Sequence, residues 1–293
     1  MKTPEVELSA IIISFNGMQF LPDCLSSLTA DLAGLEHEII TIDNGSDDGS
    51  LEFIKSTYPA IRVVENGKNL GFARAVNIGL HEARGHYFYV LNQDLRFRKG
   101  TASILLERLK ADENVGLIGP KYVGFDGRLQ WSARAFPSYR HIFYRAFFLD
   151  RIFPRHREFA GWRMGWFDHE TEMSVDQPMG AVMLIPSEVV EKVGYLDESF
   201  PILFNDVDYC RRIKQAGYSL LYYPEAVVEH YVGGSTRRRP IKLRITSHVA
   251  LYRYLKKYAR PVEYPLLWLS GLILWIGLVP LLISAAFKQY RQR

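Results

Sequence analysis

Two cysteines in 293 residues leave no disulfide framework and no thiolate metal cage, because Cys24 and Cys210 fall inside periodic segments and not at a ligand spacing. Two buried, reduced thiols suit a reducing compartment. No apolar leader opens the chain: Met1 to Leu8 is short and polar, so export of the folded part by that route is not expected. The first strand-to-helix turn lacks the glycine triplet of a dinucleotide-binding fingerprint. Internal repeats and low-complexity runs are absent, which sets aside solenoids and disordered arrays. Acid is nearly missing from the end of the chain, where Glu263 alone faces 12 Lys and Arg between Thr236 and Arg293. The rest of the chain holds 24 basic and 31 acidic residues, so the net charge of +4 belongs to the tail. A basic tail by itself admits nucleic acid, but the uncharged run that follows favours anionic lipid, and no nucleic-acid partner is expected.

That run, Pro265 to Phe287, has no charged residue and matches the roughly 20 positions that one membrane span needs. Trp268 and Trp275 lie within it; Arg253, Lys256, Lys257 and Arg260 precede it, and Lys288, Arg291 and Arg293 follow. Cations on both sides leave the orientation rule undecided. Gly271, Gly277 and Pro280 admit a kinked, re-entrant or interfacial helix as well as a span, and a buried core helix is the bland alternative. Membrane attachment is the expectation. The organisation that follows is a catalytic domain over 1–236, a basic amphipathic linker helix over 237–264, a transmembrane or membrane-embedded helix over 265–287, and a basic tail over 288–293.

Ahead of the tail, strands alternate with short helices. Leu8 to Phe15, Glu38 to Asp43, Ile61 to Asn66 and Tyr87 to Leu91 read as strands, with helices over Gln19 to Ala30, Ser50 to Tyr58 and Gly71 to Ala83. This order predicts an α/β fold around a parallel, doubly wound sheet. A helix over Thr101 to Ala111 and a strand over Gly116 to Tyr122 come next. The pattern then loosens. Pro137 to Pro154 interleaves Phe143, Tyr144, Phe147, Phe148 and Phe153 with Arg140, Arg145 and Arg151, which as one helix suits either a membrane surface or a core with solvated arginines. Met179 to Ile185 reads as a strand, Ser187 to Val193 and Val207 to Ala216 as helices, and Leu220 to Tyr223 and Val227 to His230 as short extended pieces.

Three acidic stretches stand out against this frame: Asp43-Asn44-Gly45-Ser46-Asp47-Asp48, Asn92-Gln93-Asp94 and Asn205-Asp206-Val207-Asp208. The first two close predicted strands, and the carboxyl ends of parallel strands border the crevice where open α/β sheets bind ligands. Ser14 and Asn16 at the end of the first strand, with Asp43 and Asn44 at the end of the second, can clamp a base and ribose. Gly71 permits close backbone approach at a helix amino terminus suited to diphosphate, and Arg74 can add a charge-assisted contact. Asp94 is the better ligand for a divalent cation on phosphate oxygens, with Asn92 facing the sugar or ribose. His230 can complete the shell, since imidazole suits Mn better than Mg. Asp206 and Asp208 open a helix, where both can also act as caps. A base there needs burial or a neighbouring carboxylate to raise its pKa.

Together these ordered motifs resemble the inverting, GT-A branch of glycosyltransferase family 2, and especially bacterial rhamnosyltransferases. Asp43 to Ser50, Asn69 to Gly79, Leu91 to Asp94, Gly180-Ala181-Val182-Met183, Gly194 to Phe200, Asn205 to Arg212 and His230 to Ser235 carry the resemblance, over about Val6 to Thr236. It implies a GT-A nucleotide-diphospho-sugar transferase fold with a mixed, mostly parallel sheet, followed by the membrane-associated helical segment. It also implies a nucleotide-sugar donor, dTDP-L-rhamnose foremost, a divalent metal (Mg or Mn), and one displacement at the anomeric carbon. Asp43 would then contact the base, Asp94 and His230 the metal, and Asp206 would deprotonate the acceptor. Asp176, Gln177, Gly180 and Asp208 would line the acceptor side. The tail adds a polyprenyl-diphosphate-linked acceptor and an inner-membrane location, with the catalytic domain on the cytoplasmic face. Two positions depart from the family: Asn205 stands where Glu usually precedes the base, and Asn92 where the metal motif usually begins with Asp. Other readings are a processive synthase, whose Gln-x-x-Arg-Trp motif and several spans are missing here, a dolichyl-phosphate type transferase, or a non-catalytic scaffold that binds nucleotide sugar.

Overall fold

The computed structural model describes residues 5–231 and 240–290. Val232 to Ser235 of the last motif, the boundary at Thr236 and the tip of the basic tail lie outside the described residues. Two compact units are present, one made of residues 1–134 and 169–232, the other of 135–168 and 233–293. The aromatic-cationic insertion therefore groups by its contacts with the carboxyl-terminal helices.

The first unit begins as expected. Strands β1 (Val6–Ser14), β2 (His37–Asp43), β3 (Arg62–Glu65) and β4 (Gly85–Asn92) alternate with helices α1 (Leu21–Asp31), α2 (Ser50–Thr57) and α3 (Phe72–Glu82). β1 is built from an apolar run with Ile11, Ile12 and Ile13 fully or nearly buried, as a strand covered on both faces must be. It pairs in parallel with β2 and β4, and α1 turns Leu21, Cys24, Leu25 and Leu28 into the core. The register sets Ser14 opposite Asp43 and Ile13 opposite Asn92, so these strands end level with one another.

Beyond β4 the sheet ceases to be parallel. The next strands are β5 (Leu95–Phe97), then β6 (Val115–Val123) after helix α4 (Thr101–Lys110), the two-residue β7 (Leu129–Gln130) and β8 (Ala133–Arg134). Past the insertion come β9 (Met173–Ser174), β10 (Gln177–Pro178), β11 (Val182–Pro186) and β12 (Ser219–His230). The order β3-β2-β1-β4-β11-β6-β12-β5 places β11 antiparallel between β4 and β6, so the sheet is mixed and mostly parallel, as the family resemblance implies and unlike the all-parallel sheet that strand–helix alternation alone predicts. Leu220 to His230 is one strand with register shifts between Ser219 and Leu220 and between Tyr223 and Val227, not two pieces. β12 pairs with β5 so that His230 stands opposite Leu95.

In the second unit, Pro137 to Pro154 forms two short helices, α5 (Tyr139–Ala146) and α6 (Leu149–Ile152), broken where Phe148 takes a left-handed φ of 58°. In the first unit, α7 (Ser187–Val193) and α8 (Asn205–Gln215) follow β11, and α9 (Pro240–Tyr258) and α10 (Tyr264–Tyr290) close the second unit. Both α9 and α5 pack on α10.

Candidate active site

Asp43 ends β2 with one carboxylate oxygen committed: Oδ2 accepts from the backbone of Gly45 and Ser46, each at 3.1 Å. This turn aims Oδ1 into the fold, where it is buried without a hydrogen-bond partner. A buried acceptor left open is costly unless a ligand completes it. Ser14 Oγ, opposite on β1, is buried and unpartnered as well. The neighbouring loops are laced together, with Asn16 Oδ1 accepting from Asp47 N at 2.9 Å and Asn16 N donating to Ser46 Oγ at 3.0 Å.

Asn44 has a different task from the one its motif suggests. Its Nδ2 donates to Asn69 Oδ1 and the Gly71 carbonyl, while its Oδ1 accepts from Asn66 Nδ2 and Leu70 N. All four hydrogen-bonding positions of the amide are thereby used. The side chain pins the 66–71 loop and does not present a free group to a donor.

The amino end of α3 is also occupied. Gly71 adopts φ 87°, and a Cβ there would stand 2.9 Å from the Pro201 carbonyl oxygen. That carbonyl accepts from Phe72 N at 2.6 Å and Ala73 N at 3.3 Å. The close approach predicted at Gly71 is made by the chain's own 196–204 loop, anchored by Asn77 through Leu196. Arg74 reaches only a solvated pair with Glu198 at 3.9 Å, which costs little to exchange for another anion.

Asp94 and His230 meet although they are far apart in sequence. β5 begins directly after Asp94, and its pairing with β12 brings His230 Nε2 to 3.7 Å from Asp94 Oδ1. Asp94 Oδ1 is buried and makes no hydrogen bond. Burial pushes the Asp94 carboxyl up to about 6, against hydrogen bonds from its own backbone and from the Asn92 side chain. The asparagine at 92 therefore works as a donor to Asp94, which an aspartate could not do while ionised. Burial takes His230 the other way, down to about 4, which keeps the imidazole neutral. One open carboxylate oxygen and one neutral imidazole fit a divalent cation that draws its other ligands from phosphate. Among the described residues, no group of three or more His, Cys, Asp or Glu could hold a metal alone.

Asp206 sits in the first turn of α8, half-buried. Its Oδ2 accepts from Gln177 Nε2 at 2.6 Å and from Gly180 N at 3.3 Å. Gly180 must be glycine, since a Cβ would lie 2.6 Å from Asp206 Cβ. Burial raises the Asp206 pKa, and hydrogen bonds from Val207, Gln177 and Gly180 pull against it. A carboxylate balanced this way can take a proton from a hydroxyl. Tyr122 on β6 links this group to the Asp94 pair: its buried ring meets His230 edge-on at 5.8 Å, and its hydroxyl feels the Asp206 charge.

Asp176 and Asp208 are not brought to this cluster. Asp176 pairs with Lys214, eight positions beyond Asp206 on α8. Asp208 has no exposed surface and accepts from Arg212 Nε at 3.0 Å, while Arg212 also holds the Val193 and Tyr195 carbonyls. It fastens α8 to the segment after α7. Asn205 is also inward, its Nδ2 donating to the Phe200 carbonyl at 3.2 Å.

Two glutamines escaped the sequence reading. Gln93 bridges to β1 through both the N–H and the carbonyl of Phe15, each at 2.9 Å. Gln130 on β7 bonds both the ring and the carbonyl of His230. Gln93 lies in the bend between β4 and β5, and no local signal marks Gln130. A concavity of about 460 Å³ lined by Glu5, Glu7, His86, Tyr87 and Lys110 lies at the opposite, amino-terminal ends of β1 and β4.

The chain is similar to known proteins along most of its length. The sequence model described as Glycosyl transferase family 2 matches residues 9–170, more than half of the chain. The chain is 29% identical over 228 residues to the N-acetylglucosaminyl-diphospho-decaprenol L-rhamnosyltransferase of Mycobacterium tuberculosis, covering 74% of each. It is 25% identical over 287 residues to the dolichol-phosphate mannosyltransferase of Pyrococcus furiosus, covering 95% of this chain and 73% of that protein. The fold matches the mannosyltransferase PcManGT from Pyrobaculum calidifontis, solved with GDP-Man and Mn2+, at a TM-score of 0.60 and 16% identity. That match covers 98% of this chain and 77% of the other.

Proposed function

The chain belongs to glycosyl transferase family 2, and from that premise we propose that it transfers L-rhamnose from dTDP-L-rhamnose to a saccharide carried on polyprenyl diphosphate, inverting the anomeric centre. One arrangement supports the chemistry: two buried, open carboxylate oxygens, Asp43 Oδ1 at the end of β2 and Asp94 Oδ1 just past β4, the two strands that flank β1, with Asp206 held by Gln177 and Gly180. The mycobacterial relative supports the choice of sugar and of a diphosphate-linked acceptor.

In this reading Asp43 and Ser14 complete their hydrogen bonding on the nucleoside. Asp94 and His230 hold a divalent cation, which when bound neutralises charge on the departing diphosphate. Arg74 exchanges Glu198 for a phosphate oxygen. Asp206 accepts the proton of the acceptor hydroxyl, whose oxygen bonds to the anomeric carbon as the bond to dTDP breaks. One displacement from the opposite face inverts the centre. The apolar, outward-facing α10 and the basic tail support attachment to the inner membrane, with the catalytic unit on the cytoplasmic side, where the buried free thiols Cys24 and Cys210 stay reduced.

The test is a panel of nucleotide sugars incubated with the full chain, Mg or Mn, and lipid-linked acceptor. The expected result is turnover with dTDP-L-rhamnose that is lost in Asp94→Ala and Asp206→Ala. Turnover unaffected by both substitutions would refute the site. The Pyrococcus likeness supports a second reading, direct transfer to a polyprenyl monophosphate, which a labelled glycolipid formed from that acceptor alone would establish.

A further inference from the structure

Helices α9 and α10 lie side by side in opposite directions. A Cβ added to Gly271 would stand 2.8 Å from the Tyr252 ring, and His248 Nδ1 donates to the Leu274 carbonyl at 3.0 Å. The apolar stretch Pro261–Pro280 is about 30 Å long, as thick as the hydrocarbon core of a bilayer. Matching Tyr252 to Gly271 and His248 to Leu274 sets Arg253 level with the middle of that stretch, and puts Lys256, Lys257 and Arg244 within it too. All four are exposed. If α10 ran along the membrane normal, α9 would carry these four cations to hydrocarbon depth, where charged side chains are rare and expensive.

The outward face of α10 suits a different placement. Trp268, Leu272, Trp275, Ile276 and Val279 form one exposed stripe at helical spacing, opposite the buried Leu267, Ser270 and Leu278. Trp268 and Trp275 are 67% and 66% exposed, and tryptophan favours the headgroup boundary over the bilayer centre. In the same unit, α5 and α6 expose Phe147, Phe148, Ile152 and Phe153. Arg145, Arg151, Arg163 and Arg244 have no side-chain hydrogen bond or ion pair to a described residue. Crowding by protein atoms, and then the positive charge of Arg163, Arg244 and Arg151 set against Asp150, lowers the Arg145 pKa. Four guanidinium groups, with Asp150 as the carboxylate set against them at Arg145, in a unit that also exposes two aromatic-rich faces, match a surface of lipid phosphates.

We propose that α10 does not cross the bilayer, and that it lies with α9 in the plane of one anionic leaflet, its Trp268-to-Val279 stripe sunk at the headgroup–acyl boundary and the four arginines on lipid phosphate. This rests on the membrane attachment proposed above and fixes its form: the chain is monotopic, held by the face of a hairpin.

Depth-dependent quenching tests it. Two full-length variants keep a single tryptophan, Trp268 or Trp275, with Trp131, Trp162, Trp166 and the other changed to phenylalanine. Each is bound to vesicles of phosphatidylcholine and phosphatidylglycerol carrying nitroxide labels at a shallow or a deep acyl position. Retained nucleoside-diphosphate binding reports folding. The expected result is one shared, shallow depth for both tryptophans. Strong quenching of either tryptophan by the deep acyl label, as a span centred near residue 270 would give with both rings within about 7 Å of the bilayer centre, would overturn the in-plane placement and leave membrane attachment standing. Failure of the wild-type chain to bind vesicles at all would overturn both. Arg145→Gln with Arg163→Gln, in the otherwise native chain, should weaken partitioning onto anionic vesicles about thirtyfold and leave binding to pure phosphatidylcholine unchanged. Equal loss on both vesicle types would remove the phosphate contacts from the proposal.

Discussion

Gln130 fixes which nitrogen of His230 carries the proton. Its amide nitrogen donates to the His230 carbonyl at 2.7 Å, so its amide oxygen is what faces His230 Nδ1 at 3.0 Å. Nδ1 must then be protonated, and Nε2 turns its lone pair toward Asp94. Orientation of a metal-binding imidazole by a partner on its other nitrogen is commonly worth 10- to 100-fold in affinity. Gln130→Leu should therefore weaken Mn binding by about that factor, with activity recovered at high Mn and donor affinity restored with it. Gln130→Glu keeps the acceptor and should lose less. Manganese titration by electron paramagnetic resonance, with nucleoside diphosphate present, checks both. Unchanged affinity in Gln130→Leu would remove His230 from the metal site.

Metal binding should also be linked to protons. The Asp94 carboxyl is pushed up to about 6, so below that pH a cation must displace a proton. His230, brought down to about 4, stays neutral throughout the same range. Apparent Mn affinity should hence be level above pH 6 and fall with one proton per metal as the pH drops through 6. One proton released per metal at pH 7 and above, where Asp94 is already ionised, would mean that His230 is charged there.

Asp206→Asn keeps the shape of the side chain and removes its basicity. The rate of transfer should drop about 10²- to 10⁴-fold, the usual contribution of a general base, while donor binding measured by calorimetry stays the same. Gly180→Ala should lower kcat in the same direction, because its Cβ would press on Asp206 Cβ at 2.6 Å.

Restoring the family's glutamate beside the base should not help this chain. Asn205 is buried and donates to the Phe200 carbonyl, a bond that a carboxylate cannot make. Asn205→Glu would leave that carbonyl unpaired and bury a second negative charge next to Asp206. A loss of about 1–3 kcal/mol in stability is expected in urea unfolding, with no gain in kcat.

Asp31 offers a stability test away from the site. Burial pushes its carboxyl up to about 6, and Oδ1 has no partner although Oδ2 accepts from Ala102 N at 3.1 Å. A raised carboxylate pKa destabilises the fold above pH 6, and the penalty fades as the pH falls toward the ordinary value near 4. Asp31→Asn should stabilise the protein at pH 8 by up to about 3 kcal/mol, and by almost nothing at pH 4. A pH-independent gain would point to packing instead.

The parallel half of the sheet and the strand-end placement of Asp43 and Asp94 were legible because alternating strands and helices leave a local imprint. The reversal at β11 left none, since a buried strand reads the same in either direction. Asn44 looked like a ligand because turn chemistry and ligand chemistry use the same residues, and only the count of its hydrogen bonds separates them. At Gly71 the closely approaching group is Pro201, which no local pattern announces. Asp208 stood two positions from Asp206 with identical chemistry, and helical geometry alone turned it toward Arg212.

The pairing of β5 with β12 also sets a clock. During synthesis Asp94 leaves the ribosome long before His230, so a chain still being made has the carboxylate without its imidazole. A slip of one residue in β12 would turn His230 to the far side of the sheet. With the metal held as proposed, tight manganese binding would be withheld from every truncated or misregistered form of the domain, and its appearance would mark the moment at which the last strand has found its place.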